Sequence, residues 1–155
     1  MAEKLVGVIQ DVLLGPWYGE VYDLLSTDRR FLLLYLQKLK TSYTLEARDL
    51  SRLTRESIDV LASSTRSISI EYADVRSIRQ REGPIDGSHY LILRYQTDEG
   101  KLRKVKLLLL PQKVPTIHLA GRKDGETKLV PVERGYDEGI DLLLSRAIPG
   151  ISIES

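Results

Sequence analysis

Between Arg76 and Lys106 the chain carries eight basic side chains against four acidic ones: Arg76, Arg79, Arg81, Arg94, Lys101, Arg103, Lys104 and Lys106 against Glu82, Asp86, Asp98 and Glu99. Guanidinium and ammonium groups gathered on one surface bind phosphates and carboxylates. In a strand every second side chain lies on one face, so Arg79, Arg94 and Lys104 or Lys106 can share one. The plainer reading of these residues is a solvated sheet face whose edge lysines discourage aggregation. A second candidate is Trp17 with Tyr18, side by side in the glycine-bounded loop Gly15–Gly19. Aromatic rings exposed at a loop tip suit contact with a partner or a membrane interface. A tryptophan is usually largely buried, so the plainer expectation is that Trp17 folds back and closes one end of the sheet.

Other chemistry is thinly represented. His89 and His118 are the only histidines. Neither has a histidine or carboxylate at helical metal spacing, and both read as structural. Asp137 and Asp141 stand one helical turn apart, which a helix dipole and solvation explain. The loop Gly83-Pro84-Ile85-Asp86-Gly87-Ser88 has two glycines but no following lysine to hold a phosphate. No Gly-x-Ser-x-Gly turn is present. Cysteine is absent, which removes disulfides, thiolate chemistry and cysteine metal sites. The sequence implies no catalytic residue, no metal and no cofactor. An enzyme would have to assemble its site from scattered residues.

These residues sit in an ordinary globular composition. The 155 residues are expected to form a single domain over 1–155, with 42% hydrophobic and 29% charged residues. The net charge of +1 gives no global field toward nucleic acid or an acidic membrane. The start, Met1-Ala2-Glu3-Lys4, lacks the basic and long apolar pattern of a signal peptide. The runs Phe31–Leu36 and Leu107–Leu110 are too short to span a bilayer. A cytoplasmic protein without an integral membrane segment is expected. Asparagine is absent, and there are five glutamines and one methionine. Depletion of these thermolabile residues points to a thermophilic source.

The elements that position the candidates are mostly strands. Leu5–Leu14 is rich in β-branched residues and stops at Gly15-Pro16. Glu20–Leu25 and Phe31–Leu36 flank a polar turn, the second run reading as a strand buried on both faces, with a helix as the weaker option. About 44–64 the period becomes helical, with Leu50, Leu53, Ile58 and Leu61 in phase. This reads as two short helices, the second over Arg55–Ala62, or as one bent helix, crossing one opening of the sheet. From Ser67 the period returns to two, with Ile78 inward and Arg76, Arg79 and Arg81 outward. His89–Thr97 and Lys101–Leu110 form a hairpin about Asp98-Glu99-Gly100. Val114–Leu119 reads as an edge strand or a strand start because of Pro115, Gly121–Glu126 as a polar loop, and Leu129–Val132 as a brief pairing segment. Ile140, Leu143, Leu144 and Ala147 mark an amphipathic helix over about 137–148, ended by Pro149-Gly150.

The fold class expected is α+β, mainly β: a small antiparallel barrel or strongly bent sheet with a helical insertion and a C-terminal capping helix. Two segments carry a resemblance. Tyr22-Asp23-Leu24-Leu25-Ser26-Thr27-Asp28-Arg29-Arg30-Phe31 is similar to the hairpin of pleckstrin-homology-like domains of the prokaryotic and GRAM type, where a Thr-Asp-x-Arg turn joins two strands. Ile70-Glu71-Tyr72-Ala73-Asp74-Val75-Arg76-Ser77-Ile78 resembles their Ile-Pro-Tyr-x-Asp-Ile-x-x-Val strand, with Glu71 where proline is common. The likeness spans Leu5–Leu110. It implies binding of lipid headgroups, peptides or partner proteins, without catalysis. Lipid-binding members place basic residues in and beside the first hairpin loop. Here Gly15–Gly19 has none, so a phosphoinositide role does not carry over.

The function expected is a non-catalytic binding or assembly module for a protein partner or self-association. It would work through Trp17, Tyr18 and strand edges near Val114–Leu119. The alternative is recognition of anionic lipid or nucleic acid through Arg76, Arg79, Arg81, Arg94, Lys104 and Lys106. An unrecognised enzyme is the third.

Overall fold

The two ends of the main sheet are three residues apart, and that sets its shape. In the computed structural model, which describes residues 3–40, 50–123 and 126–154, the strands form one antiparallel sheet. They are β1 (Leu5–Leu14), β2 (Glu20–Thr27), β3 (Arg30–Lys38), β4 (Ile68–Glu71), β5 (Val75–Glu82), β6 (His89–Gln96), β7 (Leu102–Leu109), β8 (Thr116–Lys123) and β9 (Glu126–Glu133). The path runs β4-β3-β2-β1-β7-β6-β5, and β8 pairs with β1 and with β9. Laid flat, six gaps of about 4.8 Å would put β4 roughly 29 Å from β5. Only the turn Tyr72–Asp74 joins them, a reach of at most about 14 Å. The sheet therefore curls back on itself. It does not close, because β4 and β5 do not pair among the described residues. Of the two forms expected, a barrel or a strongly bent sheet, the described strands leave the sheet open.

A bulge in β1 divides the sheet further on. Beyond Ile9 the register with β2 shifts, and Asp11 takes a left-handed backbone with φ of 57°. Its N–H donates to Asp23 Oδ1 at 3.2 Å. Aspartate tolerates this region better than branched residues do. On one side of the bulge Gly7, Val8 and Ile9 pair with β8; on the other Val12 and Leu13 pair with β7. One strand thus serves two neighbours along the same edge.

Helix α3 (Tyr136–Ala147) fills the inside of the curl. Ile140, Leu143 and Leu144 join Phe31 of β3, Ile70 of β4, Ile78 of β5 and Leu93 of β6 in one buried cluster. The helix lies hard against β1 and β8. A Cβ on Gly7 would stand 2.4 Å from Leu143 Cδ1, and one on Gly139 2.2 Å from Ile117 Cδ1. Asp137 and Glu138 lie in its first turn and Arg146 in its last, as the helix dipole favours. The predicted inward row Ile140, Leu143, Leu144, Ala147 is buried throughout.

The helical insertion differs from expectation in place and in bounds. Its helices are α1 (Ser51–Arg55) and α2 (Ile58–Ala62), and the part over 44–49 lies outside the described residues. The second is capped by Ser57, whose Oγ accepts from the Val60 N–H, so it starts three residues later than Arg55. Leu53, Ile58 and Leu61 pack on Leu5, Val8, Leu25, Leu32 and Leu34. That is the outer face of β1–β3, not an opening of the sheet. Burial of β3 on both faces follows from it. The polar loop expected at Gly121–Glu126 is also corrected: β8 and β9 pair continuously from Thr116↔Glu133 to Lys123↔Glu126. Strand β8 starts just after Pro115, and its residues Ile117–Leu119 are paired on both sides, so they offer no free edge.

Candidate docking surface

Strand register decides which basic residues meet. Ser77, Arg94 and Lys104 lie in one cross-strand row, Arg79, Ile92 and Lys106 in the next, and Arg81, Tyr90 and Leu108 in the third. The intervening residues Ile78, Leu91, Leu93, Val105 and Leu107 belong to the core. The rows therefore stand on the outer face of β5–β7. Arg79, Arg81, Arg94, Lys104 and Lys106 share that face, as the alternation predicted. Ile92 is buried beneath them, in the manner of a stem-covered apolar residue. Arg94 and Lys104 are exposed, and they form no ion pair among the described residues. Arg79 reaches Glu154 Oε2 at 3.2 Å. Arg76 lies outside these rows, at the bulge between Val75 and Ser77. Its guanidinium donates to the Ala73 carbonyl at 3.0 Å and to Gln96 Oε1 at 2.6 Å.

The aromatic candidate joins this face. The Tyr18 ring lies 5.9 Å from the Tyr90 ring, in an outer cluster with Leu13, Val21 and Leu108. Lys106 Nζ stands 4.1 Å over the other partner in this chain of contacts, the Tyr90 ring, within cation–π range. Tyr18, Tyr90 and Lys106 therefore link the turn after β1 to the basic rows. Trp17 does not fold back: it is 97% exposed, which corrects the expectation that it closes the sheet. Its backbone explains how. Gly15 has φ of 86°, and Trp17 and Tyr18 follow at 58° and 54°. Left-handed geometry at a bulky residue costs about 1–2 kcal/mol, and strain of this sort concentrates at binding and switch segments. Leu39 N–H donates to the Gly19 carbonyl at 2.8 Å, which brings the exposed end of β3, with Lys38, beside the same turn. Sequence reasoning missed Tyr90 and Lys38. Tyr90 is 72 positions from Tyr18, and only the β6–β7 register brings it there.

Comparison of the chain with models of known families, with curated proteins and with solved structures finds no match.

A groove of about 600 Å³ opens between β5 and the start of α3, lined by Gln80, Glu82, His89, Asp137, Asp141 and Glu154 among others. His89 Nδ1 lies 3.3 Å from Asp137 Oδ1. A His–Asp pair activates a nucleophile only when one is within reach. The groove lining contains no serine, threonine or cysteine. Neighbouring Ser88 is buried, and its Oγ donates to the Ile85 carbonyl at 2.6 Å. Among the described residues no group of three or more His, Asp or Glu is placed to hold a metal. His118, the other histidine, is half-buried on β8, with Nε2 2.9 Å from Gln10 Oε1. Burial lowers its pKa from the ordinary 6.5, which suits the structural role expected of it. No helix among the described residues is long and apolar enough to cross a membrane.

Proposed function

We propose that this chain is a non-catalytic docking module that works in the cytoplasm and holds an acidic surface of a partner protein. Its docking surface is the outer face of β5–β7 together with the Trp17 turn. The observation that carries the reading is the continuous line Tyr18–Tyr90–Lys106, which makes one surface of a fully exposed tryptophan and a basic sheet face. Tryptophan, tyrosine and arginine are the residues most often found to dominate binding energy at protein interfaces. The basic rows supply charge complementarity, which raises association rate and selects partners. A nucleic-acid platform would need several free ring faces for successive bases. Here Tyr90 and Tyr18 face each other and Lys106 covers Tyr90, which leaves Trp17 alone. The pleckstrin-homology-like reading of the fold belongs to the same proposal. An open curled sheet filled by a C-terminal helix supports it, and that fold is a scaffold for binding.

The test compares three anionic probes against the full chain: polyglutamate, vesicles containing phosphatidylserine, and single-stranded oligonucleotide. Polyglutamate should bind best, and binding should weaken between low and physiological salt. The double reversal Arg94→Glu with Lys104→Glu should abolish it. Trp17→Ala should weaken it by about 2 kcal/mol, roughly thirtyfold, if Trp17 anchors the contact. Stronger retention on vesicles, lost in both variants, would replace the protein partner by a lipid surface. No binding to any probe would leave the basic rows as a solvated face.

A further inference from the structure

Strand β7 outruns its neighbour. It pairs with β1 only at Leu108 and Leu109, because β1 ends at Leu14 and Gly15-Pro16 turns the chain away. From Leu102 to Lys106 the edge of β7 opposite β6 therefore has no strand beside it among the described residues. The hairpin decides which groups line that edge. Thr97 N–H donates to the Lys101 carbonyl at 2.8 Å, so Lys101 turns its main chain toward β6. Main-chain direction alternates along a strand, and Arg103, Val105 and Leu107 turn the same way as Lys101. Leu102, Lys104 and Lys106 turn their N–H and C=O groups to the open edge, where none has a partner among the described residues. Leu102, Arg103 and Lys104 are exposed, so this stretch faces solvent.

An open edge invites any strand, and lysine is a common guard against it. Here the guard also selects. A second copy of β7 would bring Arg103, Lys104 and Lys106 against their like, whereas an acidic strand meets opposite charge. The side chains of an added strand alternate as those of β7 do. Those opposite Lys104 and Lys106 lie on the outer face, beside the basic rows. The one opposite Val105, which is 8% exposed and part of the core, lies on the inner face. Trp17, 97% exposed, stands where β1 stops. We infer that the open edge of β7 binds an extended segment of a partner protein in which acidic and apolar residues alternate, added antiparallel to β7 in line with β1. The inference rests on the docking reading above and names the form its acidic partner takes. Main-chain bonds to Leu102, Lys104 and Lys106 supply the affinity and the alternate side chains the specificity, as in strand addition generally.

The probes are two fluorescein-labelled octapeptides of alternating glutamate and valine, identical except for which main-chain nitrogens carry methyl groups. A glutamate opposite Lys104 turns its N–H toward β7, and the valines beside it turn theirs away. The peptide methylated on its valines should bind the full chain. The peptide methylated on its glutamates should bind roughly tenfold more weakly or worse. Charge and composition are the same in both, so neither charge alone nor loss of fold can separate them. The emission of Trp17, the only tryptophan, should move to shorter wavelength on binding, because the segment continues the line of β1 past that turn. Equal binding of the two peptides, or the reverse preference, would overturn strand addition while leaving the docking reading intact. Failure of both peptides and of polyglutamate would overturn the two together. Binding with Trp17 emission unchanged would place the segment elsewhere and overturn the assignment to β7.

Discussion

Strands β1–β3 and β5–β7 belong to one sheet, but their outer faces are treated in opposite ways. On β1–β3 the outer face is covered by α1 and α2 over Leu5, Val8, Leu25, Leu32 and Leu34. On β5–β7 it is bare, and Arg79, Arg94, Lys104 and Lys106 stand on it. Charge is handled differently too. In the covered half the buried Arg30 donates to Glu3 at 3.0 Å, Ser69 Oγ at 3.1 Å and Asp59 at 3.2 Å. Thr27 Oγ1 donates to the same Glu3 carboxylate, so one guanidinium ties β3 to β4, to α2 and to the start of the chain. In the open half the charges face water. The division teaches where charge is handled in each way: tied into a buried network in the covered half, left to water in the open one.

The largest expected effect comes from breaking the charge network of the covered half. Arg30→Ala leaves the Glu3 carboxylate, 10% exposed, without its guanidinium, and breaking a buried pair on one side costs about 3–5 kcal/mol. Arg94→Ala, on the open face, should stay within about 0.5 kcal/mol of the parent. Urea denaturation of the two variants measures both. Similar losses would mean that the two halves are not divided as described.

Next in size is the helix that the two halves share. Leu144 is 1% exposed, inside the cluster that joins α3 to the sheet. Leu144→Ala should cost about 2–5 kcal/mol. A variant as stable as the parent would show that α3 does not hold the curl together.

The same contrast explains what could be read from the sequence. The run Phe31–Leu34 is apolar at every position because both faces of β3 are covered, and it reads directly as a doubly buried strand. Ile78, Leu91, Leu93 and Val105 alternate with charges because only one face of β5–β7 is covered, so the basic rows could be foreseen. Three features lie beyond such patterns. In β8 and β9 lysine, arginine and glutamate outnumber core positions, and Pro131 sits in the ladder opposite His118, so the segment resembles a loop. The fork of β1 depends on one left-handed aspartate. The exposure of Trp17 depends on two successive positive φ angles that tryptophan and tyrosine do not advertise. The joining of Trp17 to the basic rows is a fact of register, fixed only when β1 pairs with β7 at Leu13↔Leu108.

The smallest expected effect places a proton in the covered half. His118 pairs with Val8 of β1, and burial lowers its pKa below the ordinary 6.5. The unfolded chain then takes up a proton near 6.5 that the folded chain resists, so below that pH the unfolded state binds more protons. By linkage, stability is full above about pH 6.5 and declines as pH falls toward the folded-state value. Gln10 Oε1 stands 2.9 Å from Nε2, and a glutamine at position 118 could keep a polar contact there without titrating. The parent should therefore lose stability more steeply than His118→Gln between about pH 7 and pH 5, as followed by urea midpoints across that range. Parallel slopes would show that His118 titrates alike in both states, and that α1, α2 and β9 leave this side of β8 as open to water as the face of β5–β7.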